Sequence, residues 1–173
     1  MPHSSVSSPE AGADTPPLLS VIVPVLNEAE NIAPLVGEIE AALTGVCAFE
    51  IIYIDDCSTD ETPDILRRLK ADRPHLRVIR HDRTCGQSAG LRNGVAAARG
   101  GIIATLDGDG QNDPADIPKL LEKYRETATA EQPVMITGHR VNRQDTTSKR
   151  VASKYANKLR RALLKDDNPD TGC

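Results

Sequence analysis

Three short polar clusters hold the side chains of this sequence best suited to chemistry. They are Asn27-Glu28, Asp55-Asp56 and Asp107-Gly108-Asp109-Gly110-Gln111. Carboxylates gathered in one place repel a phosphate unless a cation is bound among them. With Mg2+ or Mn2+ the set becomes sensible, because hard oxygen ligands hold the metal and the metal neutralises a diphosphate. On an extended segment the carboxylates of Asp107 and Asp109 point to one side. Gly108 and Gly110 let the backbone turn and let a ligand come close, while Gln111 adds a neutral oxygen. A D-x-D pair beside glycine also reads as a solvated turn, so the cluster does not decide its own role.

Other chemistries for the same residues fail on spacing. A calcium-binding EF-hand loop starting at Asp107 needs glycine at 112 and glutamate at 118, where the chain has Asn112 and Pro118. An aspartyl-nucleophile phosphatase carries D-x-D-x-T/V after its first strand. Here Gln111 fills the Thr/Val place, and the motif follows the fourth predicted strand. A dinucleotide fold needs G-x-G-x-x-G after the first strand, but Pro24-Val25-Leu26-Asn27-Glu28 stands there. Gly86, Gly90 and Gly94 recur every four residues in a later helix and read as points of close helix–sheet packing.

The elements that must position these clusters follow from hydrophobic pattern. Leu19–Val25 is a short apolar run rich in β-branched residues, hence a buried strand. Asn27 then reads as a helix cap with Glu30 as its reciprocal partner. Ile32, Leu35, Val36, Ile39 and Leu43 follow at helical spacing, and Gly45 closes the helix. Phe49–Ile54 predicts a second strand, and Ser58, Thr59 and Asp60 offer caps to a helix carrying Ile65, Leu66 and Leu69. Leu76–Ile79 predicts a third strand and Gly86–Arg99 a helix stopped by Gly100. Ile102–Leu106 predicts a fourth strand, Asp116 to about Ala128 a helix and Val134–Thr137 a fifth strand. Alternating strands and helices imply an α/β fold, a mostly parallel sheet with helices on both faces. Ligands of such sheets sit beyond the carboxyl ends of the strands. All three clusters directly follow a strand, so they should face one crevice.

Composition agrees with one such core. The chain has 173 residues, no Trp, one Phe and three Tyr, so Ile, Leu, Val and Ala must fill the interior. Residues 1–17 read as a disordered leader without a signal-peptide pattern, and 18–138 as the core. No apolar run approaches the roughly 18–20 residues of a membrane-spanning helix. Cys47, Cys57, Cys85 and Cys173 lack metal-site or disulfide-framework spacing and read as reduced cytosolic thiols, metal binding being the alternative. Charge is uneven. Residues 139–165 carry nine Lys/Arg and one acid, which leaves the remainder at −12 against an overall −4. That asymmetry points to an anionic partner for one part of the molecule.

Four segments together carry a resemblance. Ser20-Val21-Ile22-Val23-Pro24-Val25-Leu26-Asn27-Glu28 resembles the opening strand of family 2 glycosyltransferases, and Asp55-Asp56-Cys57-Ser58-Thr59-Asp60 their D-D-x-S-x-D nucleotide loop. Gly86-Gln87-Ser88-Ala89-Gly90-Leu91-Arg92-Asn93-Gly94 and the run Leu106 to Pro114 complete the set. The last is similar to the subgroup that loads sugars onto polyprenyl phosphates, dolichol-phosphate mannosyltransferases included. The resemblance implies a GT-A fold, Rossmann-like, with a nucleoside-diphosphate sugar (UDP- or GDP-linked) and Mn2+ or Mg2+ as cofactor. By it, Pro24, Asn27 and Glu28 line the nucleotide pocket, Asp55 binds base or ribose with Asp56 beside it, and Asp107 sits near ribose or sugar. Asp109 and Gln111, with Asp107 adjacent, ligate the metal. Asp107, Asp109, Arg140 and Arg150 are the implied catalytic set.

Residues 139–173 read as a basic, partly helical segment on the acceptor side. Val151, Tyr155, Leu159 and Leu163 recur every four residues, opposite a face bearing Lys149, Arg150, Lys154, Lys158, Arg160, Arg161 and Lys165. This is either a solvated charged helix or an interfacial one drawn to anionic lipid, at about 1 kcal/mol per basic residue near the surface. The resemblance implies the second, peripheral on the cytoplasmic face of a membrane. It also makes Arg140, Arg143, Arg150 and Ser153, with Asp170 as a further acceptor-side residue, receivers of an undecaprenyl or dolichyl phosphate. Guanidinium groups suit phosphate because they bind it bidentately and stay charged. Nucleic acid is not expected, since base-stacking aromatics are nearly absent. The chain ends at Asp170-Thr171-Gly172-Cys173, where the family continues, so truncation is expected. The other readings are a nucleotide-sugar-binding protein without turnover and a transferase with a saccharide acceptor.

Overall fold

The computed structural model describes residues 18–129 and 134–138. Strand β1 (Leu19–Val25) leads into helix α1 (Ala29–Leu43), β2 (Phe49–Asp55) into α2 (Thr62–Ala71), and β3 (Leu76–Arg80) into α3 (Gln87–Ala97). Strand β4 (Ile102–Thr105) is followed by a 3-10 turn at Pro114–Asp116 and helix α4 (Ile117–Thr127). The sheet order is β3-β2-β1-β4, and every pairing is parallel. The chain winds outward from β1 to β3 and then crosses back to place β4 on the other side of β1. Strand order therefore reverses between β1 and β4, and the carboxyl ends of these two strands open the crevice where α/β sheets bind ligands.

Strand alternation sorts the residues onto two faces. Leu19, Val21, Val23 and Val25 of β1 join Ile51 and Tyr53 of β2 and Leu76 of β3 in the larger core, against Ile32, Leu35, Val36, Ile39 and Leu43 of α1. Each fully buried aliphatic side chain contributes about 1.5–3 kcal/mol. The opposite face buries Ile22, Ile52 and Ile54 under α3. That helix is made of small residues because it lies close to the sheet. A Cβ on Gly94 would clash with Ile22 Cγ2, and one on Gly90 would sit 3.2 Å from Pro24 Cβ. The packing role expected for these glycines is thus met.

At the amino ends of the strands, a buried carboxylate ties the same face together. Glu50 Oε1 accepts from Ser20 Oγ at 2.7 Å and from Arg99 N–H at 2.6 Å, and Arg77 Nη1 donates to Oε2 at 2.7 Å. Ser20 Oγ in turn accepts from Gly100 N–H at 2.9 Å. A Cβ on Gly100 would stand 2.7 Å from Ser20 N, so this turn admits only glycine without moving backbone.

The described residues fall into two units, divided between Pro118 and Lys119. Within the second, Lys123 Nζ pairs with Glu126 at 2.9 Å along α4. The predicted fifth strand is corrected. Residues 134–138 are irregular, and Met135 is 83% exposed. The run Val134-Met135-Ile136-Thr137 has strand propensity, but a strand exists only when a neighbour satisfies its backbone groups.

Candidate active site

The loops leaving β1 and β2 are cross-linked by side chains. Asn27 adopts φ 58°, a left-handed conformation that asparagine tolerates better than most residues. Its Oδ1 accepts from Thr59 N–H at 2.8 Å and Asp60 N–H at 3.3 Å, while Ser58 Oγ accepts from Asn27 N–H at 2.9 Å. Asp60 spans the starts of two helices. Its Oδ1 accepts from Thr62 N–H at 3.0 Å and its Oδ2 from Ala29 N–H at 3.2 Å. Thr62 Oγ1 accepts from Glu28 N–H at 3.0 Å. The capping box expected of Asn27 and Glu30 does not form. Glu28 occupies the cap position without a side-chain cap bond, and Asn27 spends its oxygen on the neighbouring loop. Burial is the largest single influence on Asp60 and raises its pKa, but hydrogen bonds from Thr62 and Ala29 together outweigh it and hold the carboxyl below its usual range.

Asp55 and Asp56 end β2 and diverge. Asp55 is fully buried. Its Oδ1 accepts from Ser58 N–H at 2.8 Å, and its Oδ2 accepts no hydrogen bond among the described residues, with Arg80 Nε 3.3 Å away. Asp56 faces the crevice and accepts three hydrogen bonds. Oδ1 accepts from His81 Nδ1–H at 2.7 Å and Cys85 N–H at 2.8 Å, and Oδ2 accepts from Gly86 N–H at 2.8 Å. Burial pushes this carboxyl up, and those three bonds with the His81 interaction pull it further down, so the net shift is downward. Asn93 Nδ2 lies 2.8 Å from His81 Nε2. Since Nδ1–H donates to Asp56, a neutral ring accepts from Asn93 there.

Beyond β4 the chain turns rather than extending. The side chains of Asp107 and Asp109 nevertheless line the same cleft, although residues 106–111 contain no strand. Asp107 Oδ1 accepts from Gln87 Nε2 at 2.8 Å, and Asp109 Oδ1 accepts from Gln111 N–H at 3.0 Å across the turn that Gly110 makes at φ 71°. Gly108 differs from expectation. A Cβ there would collide with Val25 Cγ1, so glycine is demanded by packing on β1 rather than by ligand approach. Asp113 closes the segment by capping the 3-10 turn, its Oδ1 accepting from Ala115 N–H at 2.9 Å.

A cleft of about 390 Å³ collects these groups: the Pro24-Val25-Leu26 strand end, Glu28, Asp56, Thr84, Gly86, Gln87 and Asp107-Gly108-Asp109. Pro24, Glu28, Asp56, Asp107 and Asp109 were all singled out from the sequence. Asn27 and Asp55 support the wall from behind, and Gln111 meets it through its backbone only. Arg140, Arg143, Arg150, Ser153 and Asp170 lie outside the described residues. Gln87 is the side chain that residue-level reading missed. Its signal was available, since it opens a helix at a strand end, but a neutral amide advertises no chemistry. Glu28, Asp56, Asp107 and Asp109 line the cleft, and no lysine or arginine among the described residues does. Asp107 and Asp109 each have one oxygen without a hydrogen bond among the described residues. That donor set fits a hard divalent cation.

Comparison with known proteins gives the family and the fold. The family model described as Glycosyl transferase family 2 matches residues 20–173. A dodecaprenyl-phosphate galacturonate synthase of Rhizobium johnstonii is 37% identical over 129 residues, covering 73% of this chain and 37% of that protein. An undecaprenyl-phosphate 4-deoxy-4-formamido-L-arabinose transferase of Pseudomonas syringae is 38% identical over 143 residues, covering 80% of this chain and 40% of the relative. The chain thus spans less than half the length of these relatives. Among solved structures, the mannosyltransferase PcManGT of Pyrobaculum calidifontis, in complex with GDP-Man and Mn2+, superposes with TM-score 0.55 at 24% identity, covering 69% of this chain and 36% of that one. TarS of S. aureus in complex with UDP gives TM-score 0.53 at 24% identity over 62% of this chain and 32% of that one. These likenesses establish the GT-A glycosyltransferase fold.

Proposed function

The chain belongs to glycosyl transferase family 2, and from that premise we propose that its cleft binds a nucleoside-diphosphate sugar for transfer to a polyprenyl phosphate. The carrying observation is a cleft with four carboxylates and no basic side chain among the described residues, at the switch point of a parallel sheet. Asp107 and Asp109 would hold Mg2+ or Mn2+, and such an ion would supply positive charge to neutralise a diphosphate leaving group. Gln87 fixes Asp107 by its 2.8 Å hydrogen bond. Asp56 keeps the Cys85–Gly86 turn in place, and that turn presents the start of α3 to the cleft. A helix N-terminus favours anionic groups nearby.

Transfer proceeds by one displacement. A phosphate oxygen of the lipid attacks the anomeric carbon as the bond to the diphosphate breaks, and the nucleoside diphosphate leaves with the electron pair. The configuration inverts. The attacking oxygen is already anionic, so no strong general base is required. Arg140 and Arg150, with Arg143, Ser153 and Asp170, serve the lipid phosphate, and the basic segment rests on the cytoplasmic face of a membrane. The relatives described above carry dodecaprenyl phosphate and undecaprenyl phosphate in their names, which supports that acceptor class.

Titration calorimetry of UDP and GDP, with and without Mn2+, tests the donor half. One nucleotide should bind in a Mn2+-dependent way, and Asp109→Asn should abolish that dependence. Unchanged affinity in the variant overturns the metal assignment. For the acceptor half, a radiolabelled nucleotide sugar and a short-chain polyprenyl phosphate should give lipid-linked product. Binding without product restricts this chain to the donor step.

A further inference from the structure

Beside the cleft stands a second, chemically different group of ligands. Asp56, His81 and Cys85 each place one ligand atom within 4.8 Å of the others. Their setting separates them from the hard-oxygen pair at Asp107 and Asp109. Asp56 and His81 have side chains 7% and 8% exposed, and the Cys85 thiol is open to solvent. One carboxylate, one imidazole and one thiol are a donor set for a borderline-soft cation, with a fourth position left to solvent.

We propose that Asp56, His81 and Cys85 form a binding site for a zinc-class divalent cation, separate from the Mg2+ or Mn2+ site. The surroundings are consistent with reversible occupation. Without metal the Asp56–His81 pair is already satisfied by its 2.7 Å hydrogen bond, so folding does not require the ion. On binding, the proton of His81 Nδ1 is released and Nε2 takes one up, which leaves the ring neutral. Asn93, 2.8 Å from Nε2, then turns its amide to accept from Nε2–H. Such a partner on the second nitrogen is the usual support of a metal-bound histidine. The Cys85 thiol, which donates to Arg83 O at 3.2 Å in this structure, gives its proton to solvent and binds as thiolate.

Cobalt reports this site directly. With excess Mg2+ present, Co2+ added to the full chain should give a thiolate-to-metal charge-transfer band that Zn2+ bleaches. The band should vanish in Cys85→Ser and persist in Asp109→Asn. Zn2+ should also slow alkylation of Cys85 by iodoacetamide in the unaltered chain, read by peptide mass spectrometry. No band in the unaltered chain, a band kept in Cys85→Ser, a band lost in Asp109→Asn, or alkylation of Cys85 indifferent to Zn2+ each overturns the proposal. Because Asp56 also lines the donor cleft, Zn2+ should weaken Mn2+-dependent nucleotide binding, and Cys85→Ser should relieve this. That consequence rests on the cleft being the nucleotide site, whereas the cobalt spectrum does not.

Discussion

Asp56 and Asp109 both line the cleft, yet their surroundings give them different work. Asp56 accepts three hydrogen bonds and fixes the wall, while Asp109 accepts one across its own turn. Asp109→Asn should therefore leave stability within about 0.5 kcal/mol of the parent, as exposed substitutions do, while removing the metal dependence of nucleotide binding. Asp56→Asn should lower stability by about 2–3 kcal/mol, because its bonds are charge-assisted, and urea unfolding measures both. Acid sensitivity belongs to this scale too. The folded pKa values of Glu50, Asp56 and Asp60 all lie below their ordinary values. Their stabilisation is complete above the unfolded carboxylate range, near pH 4, and is lost as pH falls through the folded values. Urea midpoints should hold steady from pH 7 to about 5 and decline below about 4. Tyr53 makes the opposite case. Its hydroxyl is buried without a hydrogen bond among the described residues and its pKa is raised by burial, so Tyr53→Phe should be neutral or stabilising by about 1 kcal/mol.

At the scale of elements, the four strands and their helices were legible because apolar β-branched runs alternate with helical spacing. Ile32, Leu35, Val36, Ile39 and Leu43 are all buried as the pattern requires. The errors share a cause, which is dependence on a neighbour in space. Asn27 has the right type and position for a helix cap, but Thr59 and Asp60 on another loop claim its oxygen. Gly108 reads as a turn residue, and only contact with Val25 shows why it is glycine. Ser20, Glu50 and Arg77 carried no sequence signal at all, being polar residues inside or beside apolar strands. Together they clamp the α3–β4 turn, so Glu50→Ala should cost about 3–5 kcal/mol by stranding Arg77 and Ser20. Gly94→Ala should also destabilise, through Ile22, with loss of thermal stability as the readout.

For the molecule as a whole, charge separates what burial does not. The cleft is lined by acids, and residues 139–165 carry nine Lys/Arg, so on the proposed reading the two would meet different partners. Flotation with vesicles containing anionic lipid should retain the chain at low salt and lose it as the Debye length shortens from about 10 Å at 0.1 M to 3 Å at 1 M. Salt-independent flotation runs against the membrane reading. Within residues 1–118, the cross-linked loops carry a consequence for dynamics. Asn27, Glu28, Ala29, Thr59, Asp60 and Thr62 all have backbone N–H groups bonded to side chains of Ser58, Thr62, Asp60 or Asn27. Loop amides ordinarily trade hydrogen for deuterium fast, through local openings that cost little. Here an opening at either loop must break bonds anchored at the ends of both central strands. These amides should therefore exchange in step with one another and slowly in the ligand-free chain, marking a cleft floor already set before any ligand arrives.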